Sequence, residues 1–259
     1  MFKTIRISIL LFILVAVLVA SYRSKTRVVE WKYTLPVLIY PINGDGSTVA
    51  EETIRQLKVE DFQPIEKFMR DAAESYGKSG QASIEVRLKN SLQARPPPPP
   101  EEQDALKVMW WSLKFRWWAF RQARLQGPGE QVRLFVQYFD PNTSQSHRST
   151  ALREGLIGQV NVFAGTKMRA QNNIVIAHEF LHTLGATDKY EMANNLPVFP
   201  DGYGEPERQP LYPQRYAEIM GGRLLLSAQD AVIPRNFSEV VIGRKTAEEI
   251  NFVSKGVND

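Results

Sequence analysis

Cysteine is absent from the 259 residues, which excludes a disulfide framework and any thiolate metal site. A bound metal would have to be held by nitrogen and oxygen donors. Histidine is nearly as scarce, with three in the chain. Blocks of like charge are missing: 32 Lys and Arg oppose 28 Asp and Glu, for a net charge of +4. The basic residues are spread along the sequence, so the basic tail or stripe of a nucleic-acid binder is excluded. Long apolar runs are missing too, with one exception at residues 7–20, ISILLFILVAVLVA, which follow Lys3 and Arg6. A bilayer core calls for about 20 helical residues, so the run is short for a span. A retained anchor and a cleaved secretory signal both fit, the latter using the small residues Ala20 and Ser21. Residues 1–27 are therefore expected to be a membrane anchor or signal peptide. The remainder is then outside the cytoplasm, membrane-anchored or secreted, on the periplasmic side of a bacterial cell.

Past that segment the pattern is mixed. Residues 35–40 (LPVLIY) form a short apolar run before the turn sequence NGDGS and read as a buried strand. A helix capped by Asp61 should run to Tyr76 with Ile65, Phe68, Met69 and Ala72 on one face, and Gly77 ends it. Residues 82–88 alternate as a half-buried strand does. The stretch ARPPPPPEEQ lacks backbone donors and favours an extended form, so it is a loop or spacer within one domain. Residues 104–125 read as a helix with Leu106, Met109, Trp110, Leu113, Trp117 and Phe120 at helical spacing, expected to face the core. Residues 132–139 and 156–163 read as strands, and the polar loop between them holds His147.

The other two histidines stand four residues apart in AHEFLHTLGATDKY, residues 177–190. Asn172 and Asn173 supply caps for a helix that ends at Gly185, with Ile174, Ala177, Leu181 and Leu184 as its buried stripe. At that spacing the imidazoles of His178 and His182 project from one face and reach a common ion, with Glu179 one position round. At this histidine content the pattern His-Glu-x-x-His arises by chance about twice per thousand such chains. A catalytic zinc site takes three protein ligands and leaves a position for water. Gly185 can turn the chain back so that Asp188 presents a carboxylate. Glu191 and His147 are the alternatives for this third place.

HEFLHTLGATD resembles the metzincin signature HExxHxxGxx followed by His or Asp, and EIMGG, residues 218–222, resembles that clan's Met-turn, with Met220 beneath the metal. The resemblance rests on residues 172–222. Most of the clan has histidine at the position of Asp188, and the segment 190–216 is long and proline-rich. The resemblance implies an α+β fold, a metzincin-like zincin with a mixed, twisted β-sheet, an active-site helix and a small C-terminal subdomain. Residues 28–259 would form the metallopeptidase domain, divided into subdomains at about 28–185 and 186–259. It further implies Zn2+ held by His178, His182 and Asp188, a protein or peptide substrate, and Glu179 as the base that takes the water proton. Tyr190, Tyr203, Tyr216 and Arg223 are candidate donors to the carbonyl oxygen, and residues 156–163 are the candidate edge strand for substrate. Thr246 and Glu249 read as a capping box for a last short helix.

Two other readings stand beside this one. In the first, the chain is a catalytically silent, membrane-tethered zinc-binding or interaction module, for which Glu179 has no use. In the second, a distant glutamate (Glu205, Glu207 or Glu218) is the third ligand.

Overall fold

The computed structural model describes residues 29–78, 80, 83–100, 104–123, 131–143, 149–152 and 156–253. Five strands form one mixed sheet: β1 (Leu35–Asn43), β2 (Ile84–Leu88), β3 (Val132–Phe139), β4 (Thr150–Leu152) and β5 (Ile157–Phe163). Their spatial order is β2-β1-β3-β5-β4. All neighbours run parallel except β4, which is antiparallel to β5. The helices are α1 (Thr48–Gln56), α2 (Gln63–Ser75), α3 (Ala105–Gln122), α4 (Arg169–Leu184) and α5 (Arg244–Glu249).

Strand side chains alternate between faces, and here both faces are covered. Val37, Ile39, Leu134, Val136, Val160 and Val162 pack with Ile65, Phe68 and Met69 of α2 and with Ile176, Ala177, Phe180 and Leu181 of α4. Leu38, Tyr40, Ile42, Phe135 and Ile157 pack on the other side with Trp111, Phe115 and Ala119 of α3. Phe115, Phe135 and Phe180 are fully buried, each contributing about 1.5–3 kcal/mol relative to exposure. Helix α4 is thereby wedged against the sheet centre, which fixes the direction of the residues on its other side.

Several expectations are corrected. Helix α1 was not foreseen, because Ala50 is its one buried residue; Ser47 of the turn sequence caps it, accepting from the Ala50 N–H at 3.1 Å. Asp61 lies within a 3-10 turn, Val59–Phe62, and accepts from the Lys58 N–H, while α2 begins at Gln63. On α3 the buried positions are Trp111, Phe115 and Ala119, and the stripe expected to face the core is exposed: Leu106, Met109, Trp110, Leu113, Trp117 and Phe120. The helix is apolar on two sides, so spacing alone could not select the one that meets the sheet. Asn172 and Asn173 are not caps but buried residues inside α4; they donate to the carbonyls of Phe163 and Asp61 at 2.8 Å each. The strand 157–163 is internal, and the outermost described strand on that side is β4.

The expectation of a membrane-anchoring transmembrane helix is also corrected: among the described residues no helix is long and apolar enough to cross a membrane. Helix α3 has 18 residues but carries Lys107, Lys114, Arg116 and Arg121, charges a bilayer core does not accept. The run 7–20, on which that expectation was placed, lies outside the described residues, as does His147.

After α4 the chain forms a long segment of turns, followed by two small pairings. β6 (Ala217–Glu218) lies parallel to β9 (Val240–Val241), and β7 (Leu224–Leu225) pairs with β8 (Ala231–Val232). Helix α5 follows and packs its Ala247 into the main core.

Candidate metal centre

Helix α4 places His178 and His182 one turn apart, with their Nε2 atoms 3.1 Å from each other. The Nδ1 of His178 lies 2.9 Å from the carbonyl oxygen of Ile219, and the Nδ1 of His182 lies 2.8 Å from that of Ala186. A carbonyl oxygen can only accept, so each Nδ1 carries the proton and donates. In the neutral rings each Nε2 is then left with its lone pair, the tautomer a metal ligand needs.

Gly185 ends α4 with φ of 108°, a left-handed conformation that costs a residue with a Cβ about 1–2 kcal/mol. The chain turns back through Ala186 and brings Asp188 to the two rings. Its Oδ1 lies 3.1 Å from Nε2 of His178 and 3.1 Å from Nε2 of His182. Three acceptor atoms thus form a triangle with equal 3.1 Å edges. A tetrahedral zinc ion with nitrogen and oxygen ligands at about 2.0–2.1 Å holds neighbouring ligand atoms about 3.3 Å apart. The residues present fit such an ion to within the tolerance expected of a metal site, about 0.2 Å. A proton can serve one edge of this triangle, whereas a divalent cation serves all three corners.

Glu179 also belongs here. His178, Glu179 and His182 form a group whose ligand-type atoms all lie within 4.8 Å of one another, and such a group could hold a metal ion. Glu179 is buried, 5% exposed, and lines a cleft of about 150 Å3 with Ser149, Thr150, Ala151, His182, Asp188 and Tyr190. Two carboxylates therefore flank the imidazoles, and the one in contact with both Nε2 atoms is Asp188. Asp188, Glu191, Glu205, Glu207 and Glu218 all lie outside the group of three, and Asp188 is placed at the site by its contacts with both rings. Glu205 is engaged by Arg215, and Glu191 by Asn194.

Met220 is fully buried in the turn that follows Ile219. Its N–H donates to Glu218 Oε2 at 2.6 Å, and its carbonyl accepts from the Lys189 N–H at 2.9 Å. Glu218 accepts further from the N–H groups of Gly221 and Gly243 and from the Thr246 hydroxyl. Burial pushes the Glu218 carboxyl above the usual carboxylate range against those donors and the Lys189 charge. A Cβ on Gly221 would stand 2.4 Å from the Gly202 carbonyl oxygen, so the turn can lie against the 190–216 segment only with glycine there.

Sequence reasoning missed the support of this loop. Thr246 and Glu249 do not form a capping box; α5 begins after Gly243, with no side-chain cap. Glu249 instead accepts from the Thr187 N–H, the Thr187 hydroxyl and Lys189 Nζ at 3.0, 2.8 and 2.8 Å. Burial pushes the Glu249 carboxyl up, but Lys189 and Thr187 together hold it below its ordinary value. The one sequence signal was their i, i+3 spacing, which puts both on one helix face whatever they bind.

The electrostatics of the triangle are strong. Burial pushes the His178 imidazole down, but the hydrogen bond to Asp188 and the nearby Glu179 charge outweigh it and raise it to about 9. Burial pushes Asp188 up, and the bonds from His178 and His182 override that and hold it far below the usual carboxylate range. In the metal-free protein the His178 contribution to stability is fully present below the ordinary value of 6.5 and is lost as pH rises through about 9. The Asp188 contribution is present above its ordinary value of 3.8 and is lost as pH falls. Melting temperatures of chelator-treated protein are therefore expected to decline from pH 6.5 to 9. An Asp188→Asn variant should flatten that decline, and an equal slope in the two proteins would place its origin elsewhere.

No protein-family model matches the chain, and no curated protein does. Among solved structures the chain is similar to wild-type OgpA from Akkermansia muciniphila in two crystal forms, at 12% identity in each. The TM-scores are 0.41 and 0.38, and the alignments cover 86% and 83% of this chain. They cover 62% and 59% of OgpA, so the chain spans about three fifths of that protein's length.

Proposed function

We propose that this chain is a zinc-dependent peptidase of metzincin type, in which His178, His182 and Asp188 hold Zn2+ and Glu179 is the general base. The observation that carries the reading is the triangle of three acceptor atoms at 3.1 Å, with both Nδ1 protons committed to carbonyls. Zinc bound there would supply an acidified water and a Lewis acid for the scissile carbonyl. Glu179, buried beside the cleft, accepts the proton of the attacking water and delivers it to the leaving amine nitrogen. Asp188 balances the charge of the site and closes one side of it. Tyr190 lines the same cleft and is the donor best placed to meet a carbonyl oxygen. Tyr203, by contrast, is committed to the Tyr212 hydroxyl at 2.7 Å. Strand β4, also on the cleft, offers its outer edge to an extended peptide. A catalytically silent zinc module would hold its ion without a buried carboxylate at position 179.

The test is hydrolysis of casein or a peptide library by the purified protein. Activity is expected with one zinc per chain, to fall to background with a chelator, and to return with one equivalent of zinc. Stoichiometric zinc with no hydrolysis of any peptide would sink the peptidase reading and leave a binding module.

A further inference from the structure

Among the described residues the Asp188 carboxylate is met by the two imidazole Nε2 atoms, which are the groups it would share a metal with. Its side chain is 31% exposed, so packing around the carboxylate does little to fix it. What is fixed is the backbone on either side. Thr187 is held through both its N–H and its hydroxyl by Glu249. Lys189 is held by Glu249 through Nζ and by the Met220 carbonyl through its N–H, and its own carbonyl accepts from Val198. Lys189 Nζ also donates to the Thr187 carbonyl, closing the loop on itself at 2.9 Å.

The side chains of Lys189 and Glu249 are 4% and 15% exposed. A buried ion pair of this kind returns little net stability compared with apolar residues of the same volume, so its use lies in fixing geometry. On the same face of α5, Thr246 donates to Glu218, which in turn holds the backbone of Met220 and Gly221. The preceding residue, Ile219, orients His178 through its carbonyl. One short helix therefore sets the Asp188 loop and the turn beneath His178 in a single register.

We propose that Glu249 is a positioning residue of the metal centre, holding Thr187 and Lys189 so that Asp188 Oδ1 stands against both imidazoles. This rests on the reading of the triangle as a zinc site. Outer partners of metal ligands cost about 10- to 100-fold in metal affinity when removed, and that is the scale expected here.

The experiment compares the full chain with Glu249→Gln, with the double variant Lys189→Met/Glu249→Leu, and with Asp188→Ala. Three quantities are read: zinc affinity by competition with a chromophoric chelator, the visible spectrum of the cobalt-substituted protein, and the melting temperature of the metal-free protein. Glu249→Gln is expected to bind zinc about 10- to 100-fold more weakly and to shift the cobalt bands towards those of Asp188→Ala. The double variant, with an apolar pair in place of the ion pair, should recover the metal-free melting temperature without recovering zinc affinity, and it decides the matter if Glu249→Gln does not fold. Zinc affinity and cobalt spectrum unchanged in the folded variants, with a lowered melting temperature alone, would overturn the proposal and leave Glu249 a fold residue. Failure of the unmodified chain to bind zinc would overturn the metal reading itself, and the positioning role with it.

Discussion

The Glu179→Gln protein is expected to retain one zinc per chain and to lose peptide hydrolysis by about a thousandfold, within the range attributed to positioned acid–base groups. Glutamine preserves the volume of a side chain that is 5% exposed, so the packing of α4 on the sheet is undisturbed. It removes the one property the mechanism uses, the ability to take a proton and give it back. A thousandfold corresponds to about 4 kcal/mol of barrier. Metal should stay because the third corner of the triangle is Asp188 Oδ1, in contact with both Nε2 atoms. Metal content and kcat/KM must be measured on the same preparation, since they separate two roles. Loss of zinc together with activity would make Glu179 a ligand. Unchanged kcat/KM would remove it from the chemistry.

What could be read from the sequence was what is local along the chain. The two imidazoles, Glu179, the turn at Gly185 and the carboxylate of Asp188 fall within residues 178–188, and helical geometry with one left-handed residue is enough to bring them together. Strands β1, β3 and β5 were legible as short, largely apolar runs, since both of their faces are covered, and β2 by its alternation of buried and exposed residues. Strand β4 was not, since three residues, Thr150–Leu152, are too short for a period to show. Helix α3 was found, but its buried face was misjudged, because Trp110 and Trp111 are adjacent and equally apolar and only the sheet decides between them. The contacts that brace the site span greater separations: Glu249 meets Lys189 across 60 residues, and Thr246 meets Glu218 across 28. Nothing in the spacing of a short polar helix announces such partners, so a residue pair read as a cap became the support of the loop.

His178→Ala is expected to have the largest effect on metal. The imidazole is one of three corners of the triangle and is oriented by the carbonyl of Ile219, in the turn that holds Met220. Removing it leaves His182 and Asp188 to hold a divalent ion, and affinity should fall by more than the roughly hundredfold that losing an outer partner costs. Protein dialysed without added metal should then carry far less than one zinc per chain, with hydrolysis at background. The change also takes away one of the two imidazole partners of Asp188 and leaves the Ile219 carbonyl, at the core of the turn, without its His178 donor. The metal-free variant should therefore melt below the parent at pH 6.5, and the gap should narrow towards pH 9, where the parent's own ion pair is lost and the pH-independent loss at the Ile219 carbonyl remains. Zinc by elemental analysis and melts across that interval test the two effects separately. Full retention of zinc in His178→Ala would mean that the three acceptors do not share one ion, and the assignment of His182 and Asp188 would fall with it.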